Sequence, residues 1–448
     1  MSAEHARFEP GLIAPALLDC ARPRRLLVAM SGGLDSSVLL HAVVSLRPIL
    51  TPCRVRVVHV EHGLHPDAPR WAQSCLEQSA ALGVECGVEH VQVRVARGAS
   101  PEAAAREVRY DVLARALEPD EVLLTAHHAD DQLETVLLAL MRGAGVAGIA
   151  AMPERVAFGR GWHLRPLLPF PRAALERYAR GVGIAHCEDP SNLDRRFARN
   201  FLRTEIVPRL AERWPAASRT VTRSAALAGE AARLIDELAA IDLATCEQSG
   251  RLDVRYLATL SPERARNALR AWIRRAALQV PSRRKLEQIM SDVVHARHDA
   301  QPRVTWPGAE LRRHGDWLHL MVPLAAAPTT RIPLAVDRAV MLDELGELCL
   351  EGCIGAGLSA AALEGRELSL AFRNGGERIR PAGDAHRRSL KKLLQARDIV
   401  PWMRSRIPLV YADDRLAAVA DLWTESDYAA RADERAYRVR WLHHPGLY

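Results

Sequence analysis

Six residues, Ser31-Gly32-Gly33-Leu34-Asp35-Ser36, bring two glycines, two hydroxyls and a carboxylate together in the chain. The glycines let the backbone approach a ligand without Cβ obstruction, the two serines add hydroxyls, and the free N–H groups of a helix starting there point at the same spot. Such a loop takes an anion, phosphate above all. It lacks the lysine of G-x-x-x-x-G-K-[ST], which excludes the loop of ATPases that hydrolyse at the γ-phosphate. A second constellation is His127-His128-Ala129-Asp130-Asp131-Gln132-Leu133-Glu134-Thr135. Asp131 and Glu134, three positions apart, share a helical face. Carboxylates there suit Mg2+ against pyrophosphate or the ammonium group of a substrate, and His127 or His128 can relay protons near neutral pH.

Other motifs weigh less. His59, His62 and His65 look metal-like, but on a strand running into a glycine turn a period of three does not converge three imidazoles, so a nucleotide-base pocket is the better reading. Gly143-Ala144-Gly145-Val146-Ala147-Gly148 matches G-x-G-x-x-G by letter, yet it follows a helix, so it reads as a helix terminus and a loop. Arg195, Arg199 and Arg203 recur every four residues, a single helical stripe suited to phosphate.

The elements that must hold these residues alternate. Residues 26–30 are an unbroken apolar run, which predicts a strand buried on both faces, and helical spacing follows from Asp35. Further strands are predicted at 54–60, 88–95, 121–126 and 164–168. Helices are predicted at 68–82, from Ser100-Pro101-Glu102 to Leu117, at 130–142 and at 171–180, with a turn at 188–192 and a basic helix from Arg195 to about Trp214. This pattern predicts an α/β fold, a doubly wound and mostly parallel sheet over residues 1–215, with ligands beyond the carboxyl ends of the strands. Both constellations fall there. Alanine- and leucine-rich helical spacing then marks a mainly helical middle domain over 216–325, with a hairpin near 304–322. Short strands and a helix at 389–397 predict a small α+β domain over 331–448.

The length of 448 residues suits three such domains, and 48% hydrophobic and 26% charged residues are those of a soluble protein. No apolar run is long enough to span a membrane and the opening residues lack a signal-peptide core, so a cytoplasmic location is expected. The eight cysteines form no C-x-x-C pair, which argues against a disulfide framework or a zinc finger. The formal charge is +7, and ten basic against three acidic residues between Ala371 and Val410 give that unit an equal surplus. Within it Arg387, Arg388, Lys391 and Lys392 are expected to contact nucleic-acid phosphates.

Taken with its flanking strand and helix, the loop resembles the pyrophosphate loop of the N-type ATP pyrophosphatases, or PP-loop superfamily, which split ATP between the α and β phosphates and adenylate a substrate. Residues 58–64, 103–110, 125–135, 142–145 and 199–203 look like successive motifs of the tRNA(Ile)-lysidine synthetase family, densely over 24–212 and more weakly beyond. The resemblance implies a ligase that uses ATP and Mg2+ to adenylate the C2 oxygen of the wobble cytidine in a CAU-anticodon tRNA(Ile). The ε-amine of free L-lysine then displaces AMP. It assigns Ser31, Gly32, Gly33, Leu34, Asp35 and Ser36 to pyrophosphate, with Mg2+ at Asp35, and His62 and Gly63 to the edge of the adenosine pocket. Asp131 and Glu134 would receive lysine, Arg195, Arg199 and Arg203 the RNA or its adenylate, and His127 a proton. No obligate protein partner is implied. A PP-loop tRNA thiolase is the alternative, but those enzymes use cysteine pairs or an iron–sulfur cluster, and no C-x-x-C exists here.

Overall fold

A computed structural model describes residues 7–19, 25–61, 63, 65–93, 101–187, 194–297 and 300–447. The chain forms two compact units, Met1–Ile235 and Asp236–Tyr448. Among the described residues no helix is long and apolar enough to cross a membrane.

The first unit runs α1 (Ala14–Asp19), β1 (Arg25–Ala29), α2 (Leu34–Ser45), α3 (Arg47–Leu50), β2 (Arg54–Glu61), α4 (Ala68–Ala81), β3 (Glu85–His90), α5 (Pro101–Ala116), β4 (Val122–Leu124), α6 (Ala129–Met141) and α7 (Val146–Ile149). It continues with β5 (Arg155–Phe158), β6 (Gly161–Leu164), α8 (Arg172–Val182), α9 (Ala198–Phe201), a π-helical turn Leu202–Ile206, α10 (Val207–Arg213) and the start of α11 (Ala217–Cys246). Sheet order is β3-β2-β1-β4-β6-β5, parallel except for the edge strand β5. Alternation along β1 sends Leu26, Val28 and Met30 into a core with Val38, Leu39 and Phe170, and Leu27 and Ala29 into another with Val58, Leu113 and Leu123. Helices therefore cover both faces of a doubly wound sheet, and the loops after β1 and β4, which are adjacent strands, open at the same sheet edge.

Three segments differ from the sequence reading. The third strand begins at Glu85, because Gly83 takes φ +62° just after α4 and returns the chain early. Positions 94 and 95 of the expected strand, and the turn expected at 188–192, lie outside the described residues. Residues 164–168 are not the last strand. β5 and β6 form a hairpin ending at Leu164, and Leu168 N and Phe170 N donate to Arg165 O and Leu167 O in successive turns. The basic helix expected over 195–214 starts only at Ala198 and widens to a π turn over Leu202–Ile206. Pro208, in the first turn of α10, has no N–H to continue the α ladder. Arg195 precedes that helix and pairs with Glu205 at 2.9 Å, so it shares no helical stripe with Arg199 and Arg203.

In the second unit β7 (Glu247–Gln248), β8 (Arg251–Asp253), α12 (Val254–Thr259), α13 (Pro262–Arg275), α14 (Arg283–Ile289), β9 (Arg303–Trp306), β10 (Ala309–His314) and β11 (Trp317–Met321) follow α11. The expected hairpin is part of a five-stranded antiparallel sheet, β7-β8-β11-β10-β9, over which Leu269, Trp272 and Ile289 pack. A second core gathers the C-terminal strands around Leu393, Leu394 and Trp441, with α16 (Leu390–Ala396) where the sequence predicts a helix at 389–397.

Gly161 opens the strand that lies beside β4. A Cβ there would meet Glu121 O at 2.0 Å. Gly161→Ala is therefore expected to lower unfolding free energy by about 1–3 kcal/mol through forced strand separation. Equilibrium denaturation against the unsubstituted protein measures it, and an unchanged midpoint would show that β6 yields without cost.

Candidate functional site

The loop after β1 is closed upon itself by its serines. Ser36 Oγ is buried, donates to Gly33 O at 2.9 Å and lies 3.1 Å from Ser31 Oγ, while Ser37 Oγ also reaches Gly33 O at 3.1 Å. Gly32 has φ +83°, and a Cβ there would come within 3.3 Å of Cys75 Sγ. Cys187 N donates to Gly32 O at 2.8 Å, pinning the opposite side. Gly33 is the N-cap of α2 and supplies no side-chain cap, so the first-turn amides beginning at Leu34 stay available to a ligand at the positive end of a 12-residue helix. Beside the loop is a cavity of about 270 Å3 lined by Ser31, Gly33, His59, Glu61, Trp71, Arg109 and Cys187. His59 Nδ1 lies 2.9 Å from Met30 O. His62 lies outside the described residues, and Gly63 takes φ +63° at the end of β2.

The second constellation begins α6. His128 is its N-cap residue: His128 N donates to Asp131 Oδ2 at 3.1 Å, and Asp131 N lies 3.4 Å from His128 Nδ1, a nitrogen that accepts only while the ring is neutral. His128 Nε2 is also 3.7 Å from Asp35 Oδ2, which joins the two constellations. Asp130 is not the cap. It accepts from Arg172 N at 2.7 Å and from Ser218 Oγ, tying α8 and α11 to α6. Arg172 Nε in turn stands 3.9 Å from Asp35 Oδ1 and 3.5 Å from Glu176 Oε1.

Asp131 and Glu134 do share a face, and the arginines of the next segment meet it. Arg203 donates to Glu134 Oε1 at 2.8 Å, to Glu134 Oε2 at 3.1 Å and to Asp131 Oδ1 at 2.9 Å. Arg199 Nε is 3.0 Å from Glu134 Oε2, and its Nη2 donates to Thr135 Oγ1 at 2.8 Å. The expectation that Arg199 and Arg203 present a free phosphate stripe gives way here, since a fully buried Glu134 carboxylate requires both partners. A second cavity, about 440 Å3, is lined by His128, Asp130, Glu134, Arg172, Glu176 and Arg203 among others.

The charges are mutually set. Burial works against a charged His128, but Asp131, Asp35 and Asp130 outweigh it and raise its pKa to about 9. Burial would raise the Asp131 carboxyl, yet His128, His127, Arg203 and Arg199 hold it well below the usual carboxylate range. For Glu134 burial prevails against Arg203 and its pKa rises. Burial drives His127 well below its ordinary value; Asp131 opposes this, and Arg165, Arg106 and Arg109 reinforce it. His127 Nδ1 lies 2.8 Å from Thr125 Oγ1, which lies 2.7 Å from His163 Nε2.

Sequence reasoning missed His163 and Arg172, and passed over Trp71 and Cys187. His163 is a lone imidazole in the unrecognised hairpin, and Arg172 carries no motif of its own. Cys187 follows the helix α8 at a distance from every motif read, so only the fold brings it to Gly32. Arg387, Arg388, Lys391 and Lys392 belong to the second unit and surround the start of α16, all exposed. Arg387 faces Glu425 and Asp427 at 3.5 and 3.7 Å, and Arg388 faces Asp384 at 3.7 Å.

Because His128 titrates higher folded than unfolded, its charge stabilises the fold fully below about pH 6.5 and loses that effect as pH rises through about 9. The unfolding free-energy difference between the protein and His128→Asn is expected to shrink by on the order of 3 kcal/mol over that window. Melting curves from pH 6 to 10 measure it; a difference independent of pH would mean that His128 is neutral.

Three family models match the chain: a PP-loop domain over residues 11–210, a TilS substrate binding domain over 252–319 and a TilS substrate C-terminal domain over 368–441. The tRNA(Ile)-lysidine synthase of Alkalilimnicola ehrlichii is 43% identical over 422 residues, covering 91% of this chain and 92% of that protein. That of Methylococcus capsulatus is 39% identical, covering 92% and 95%, and that of Coxiella burnetii 40% identical, covering 92% of each. With a pyrophosphate-type loop joined through His128 to an acid–arginine cluster, and relatives 39–43% identical along nine-tenths of its length, the chain belongs to the tRNA(Ile)-lysidine synthase family.

Proposed function

We propose that this protein forms lysidine in the cytoplasm, using ATP to join free L-lysine to C2 of the wobble cytidine of a CAU-anticodon tRNA(Ile). The cytidine C2 oxygen attacks the α-phosphorus of ATP and pyrophosphate leaves. The lysine ε-amine then attacks C2, the C2–O bond breaks with its electrons going to AMP, and the amine gives up a proton. The carrying observation is the 3.7 Å approach of His128 to Asp35, which links a phosphate cradle to a cavity of about 440 Å3 lined by carboxylates and arginines together.

The uncapped amides of α2 and the hydroxyls of Ser31 and Ser36 would hold the phosphates, with adenosine in the cavity bordered by His59 and Trp71. His62 and Gly63 keep their assignment at the edge of that pocket. Asp35 Oδ1 is buried and, among the described residues, has no hydrogen-bond partner, only Arg172 Nε at 3.9 Å, so it is an anionic oxygen that fits a divalent cation. Mg2+ there would neutralise charge on the departing pyrophosphate. Lysine would enter the larger cavity, whose wall includes Glu134; Asp131, joined to Glu134 through Arg203, would with it attract the ammonium groups while Arg199 and Arg203 orient those acids and meet the RNA adenylate. Arg195, outside the arginine stripe, would serve the RNA backbone only.

Labelled lysine incubated with the protein, ATP, Mg2+ and a CAU-anticodon tRNA(Ile) transcript is expected to enter the RNA, and not a methionine tRNA. Asp35→Asn should cut AMP formation by a factor on the order of 10² while tRNA binding survives. Label absent from the isoleucine transcript would overturn the activity; undiminished AMP formation would remove Asp35 from it.

In the second unit, replacement of Arg387, Arg388, Lys391 and Lys392 by alanine is expected to weaken tRNA binding and flatten its salt dependence. The slope of log affinity against log salt should fall by roughly 0.7–0.9 for each phosphate no longer neutralised. A salt slope equal to the parent's would leave these four as a solvated face.

A further inference from the structure

Beyond binding and electrostatics, the first unit contains a chain of polar side chains that no motif above explains. It starts at Arg165, whose Nη2 is 3.2 Å from His163 Nδ1, passes from His163 Nε2 to Thr125 Oγ1 at 2.7 Å, and ends at His127 Nδ1, 2.8 Å further on. Its direction follows from which atoms can donate. A guanidinium has donors only, so His163 Nδ1 must accept. Burial, with Arg165, Arg106 and Arg109, lowers His163 to about 3, so that ring is neutral and its single proton sits on Nε2. His163 Nε2–H therefore donates to Thr125 Oγ1. Thr125 is buried, and its hydroxyl proton has one remaining place to go, His127 Nδ1; the reverse arrangement would strand that proton in the core without an acceptor. His127 Nδ1 thus accepts, and its proton is on Nε2.

From this, resting on the lysidine-forming reading, we propose that Thr125, His163 and Arg165 are positioning residues that lock neutral His127 in its Nε2–H form, so that His127 serves the reaction as a hydrogen-bond donor to developing negative charge. The expectation that His127 relays a proton gives way, on this proposal, to a fixed donor. The surroundings of His127 agree with a neutral ring: burial comes first, Arg165 after β6 and Arg106 and Arg109 from α5 add to it, Asp131 from α6 opposes it, and the His163 ring stands 6.4 Å away. Burial and three guanidiniums together cost a protonated ring more than one carboxylate returns. A neutral donor suits the chemistry, since tRNA adenylation builds negative charge on phosphate oxygens and AMP leaves as an anion.

The test reads the tautomer itself, without substrate. In protein labelled with 15N at histidine, the His127 signals, identified by their loss in His127→Gln, should show the neutral Nε2–H pattern unchanged from pH 6 to 8. Thr125→Val breaks the chain and should bring a mixture of tautomers or a titration nearer the ordinary value; Thr125→Ser, which keeps the hydroxyl, should restore the parent pattern. AMP formation should fall about tenfold or more with valine and recover with serine. An Nδ1–H or imidazolium pattern in the parent protein, or a valine variant with the parent's pattern, would overturn the inference. Since the spectra need neither ATP nor RNA, a protein that failed to make lysidine could still pass or fail this test on its own.

Discussion

A carboxylate with no exposed surface organises the first unit. Glu134 is fully buried one turn into α6, and an ionised acid there is tolerable only with strong partners. Arg203 supplies two hydrogen bonds and Arg199 an ion pair, which obliges residues 198–206 to fold back on α6. Once Arg203 is there it also takes Asp131, Asp131 takes His128, and His128 reaches Asp35 in the loop after β1. The constraint therefore runs from a buried acid to the phosphate cradle through four charged contacts. Loss of one partner would leave an uncompensated charge behind, which destabilises by far more than the intact pair stabilises.

The two helix starts in the site are built for opposite tasks. α2 begins at Gly33 with no side-chain cap, so its amides remain donors for an anion. α6 begins with a box in which the Asp131 carboxylate accepts from His128 N and faces the His128 ring. Chemistry at α6 consequently belongs to side chains. The same box buries His128 among three carboxylates, while its neighbour His127, one residue earlier, falls among arginines and is driven the other way. Adjacent histidines with opposed environments divide cationic and neutral roles between them.

In the second unit much of the basic surplus serves architecture. Arg373 holds Glu377, Arg380 holds Asp427, and Arg404 and Arg406 donate to the carbonyls of Ile399 and Trp402. Net charge in a sequence window is thus a poor measure of what a partner meets, since guanidiniums cap carbonyls as readily as they bind phosphate. Lys391 and Lys392, exposed on α16, are the kind of compact charges left for solvent or an anion.

The sequence by itself determined the α/β class, the order of strands and helices from β1 to α6, and both constellations, because buried parallel strands, glycine loops and first-turn acids each leave a local pattern of residue types. It also carried enough successive motifs to indicate the family. Tertiary structure decided the rest, in each case where the deciding partner is far along the chain. Glu61 and Trp71 border a cavity with Cys187 only because the sheet brings β2 beside β1. Arg199 and Arg203, spaced like a phosphate stripe, face carboxylates more than sixty residues earlier. Arg195 left their stripe because the helix starts only at Ala198. His127 and His128 are indistinguishable as neighbours in a motif; His163 and Arg165, delivered by a hairpin without a signature, and Asp35, delivered by another strand, are what separate their charges. Local patterns report which backbone a segment prefers, whereas protonation and pairing depend on what the fold packs against it.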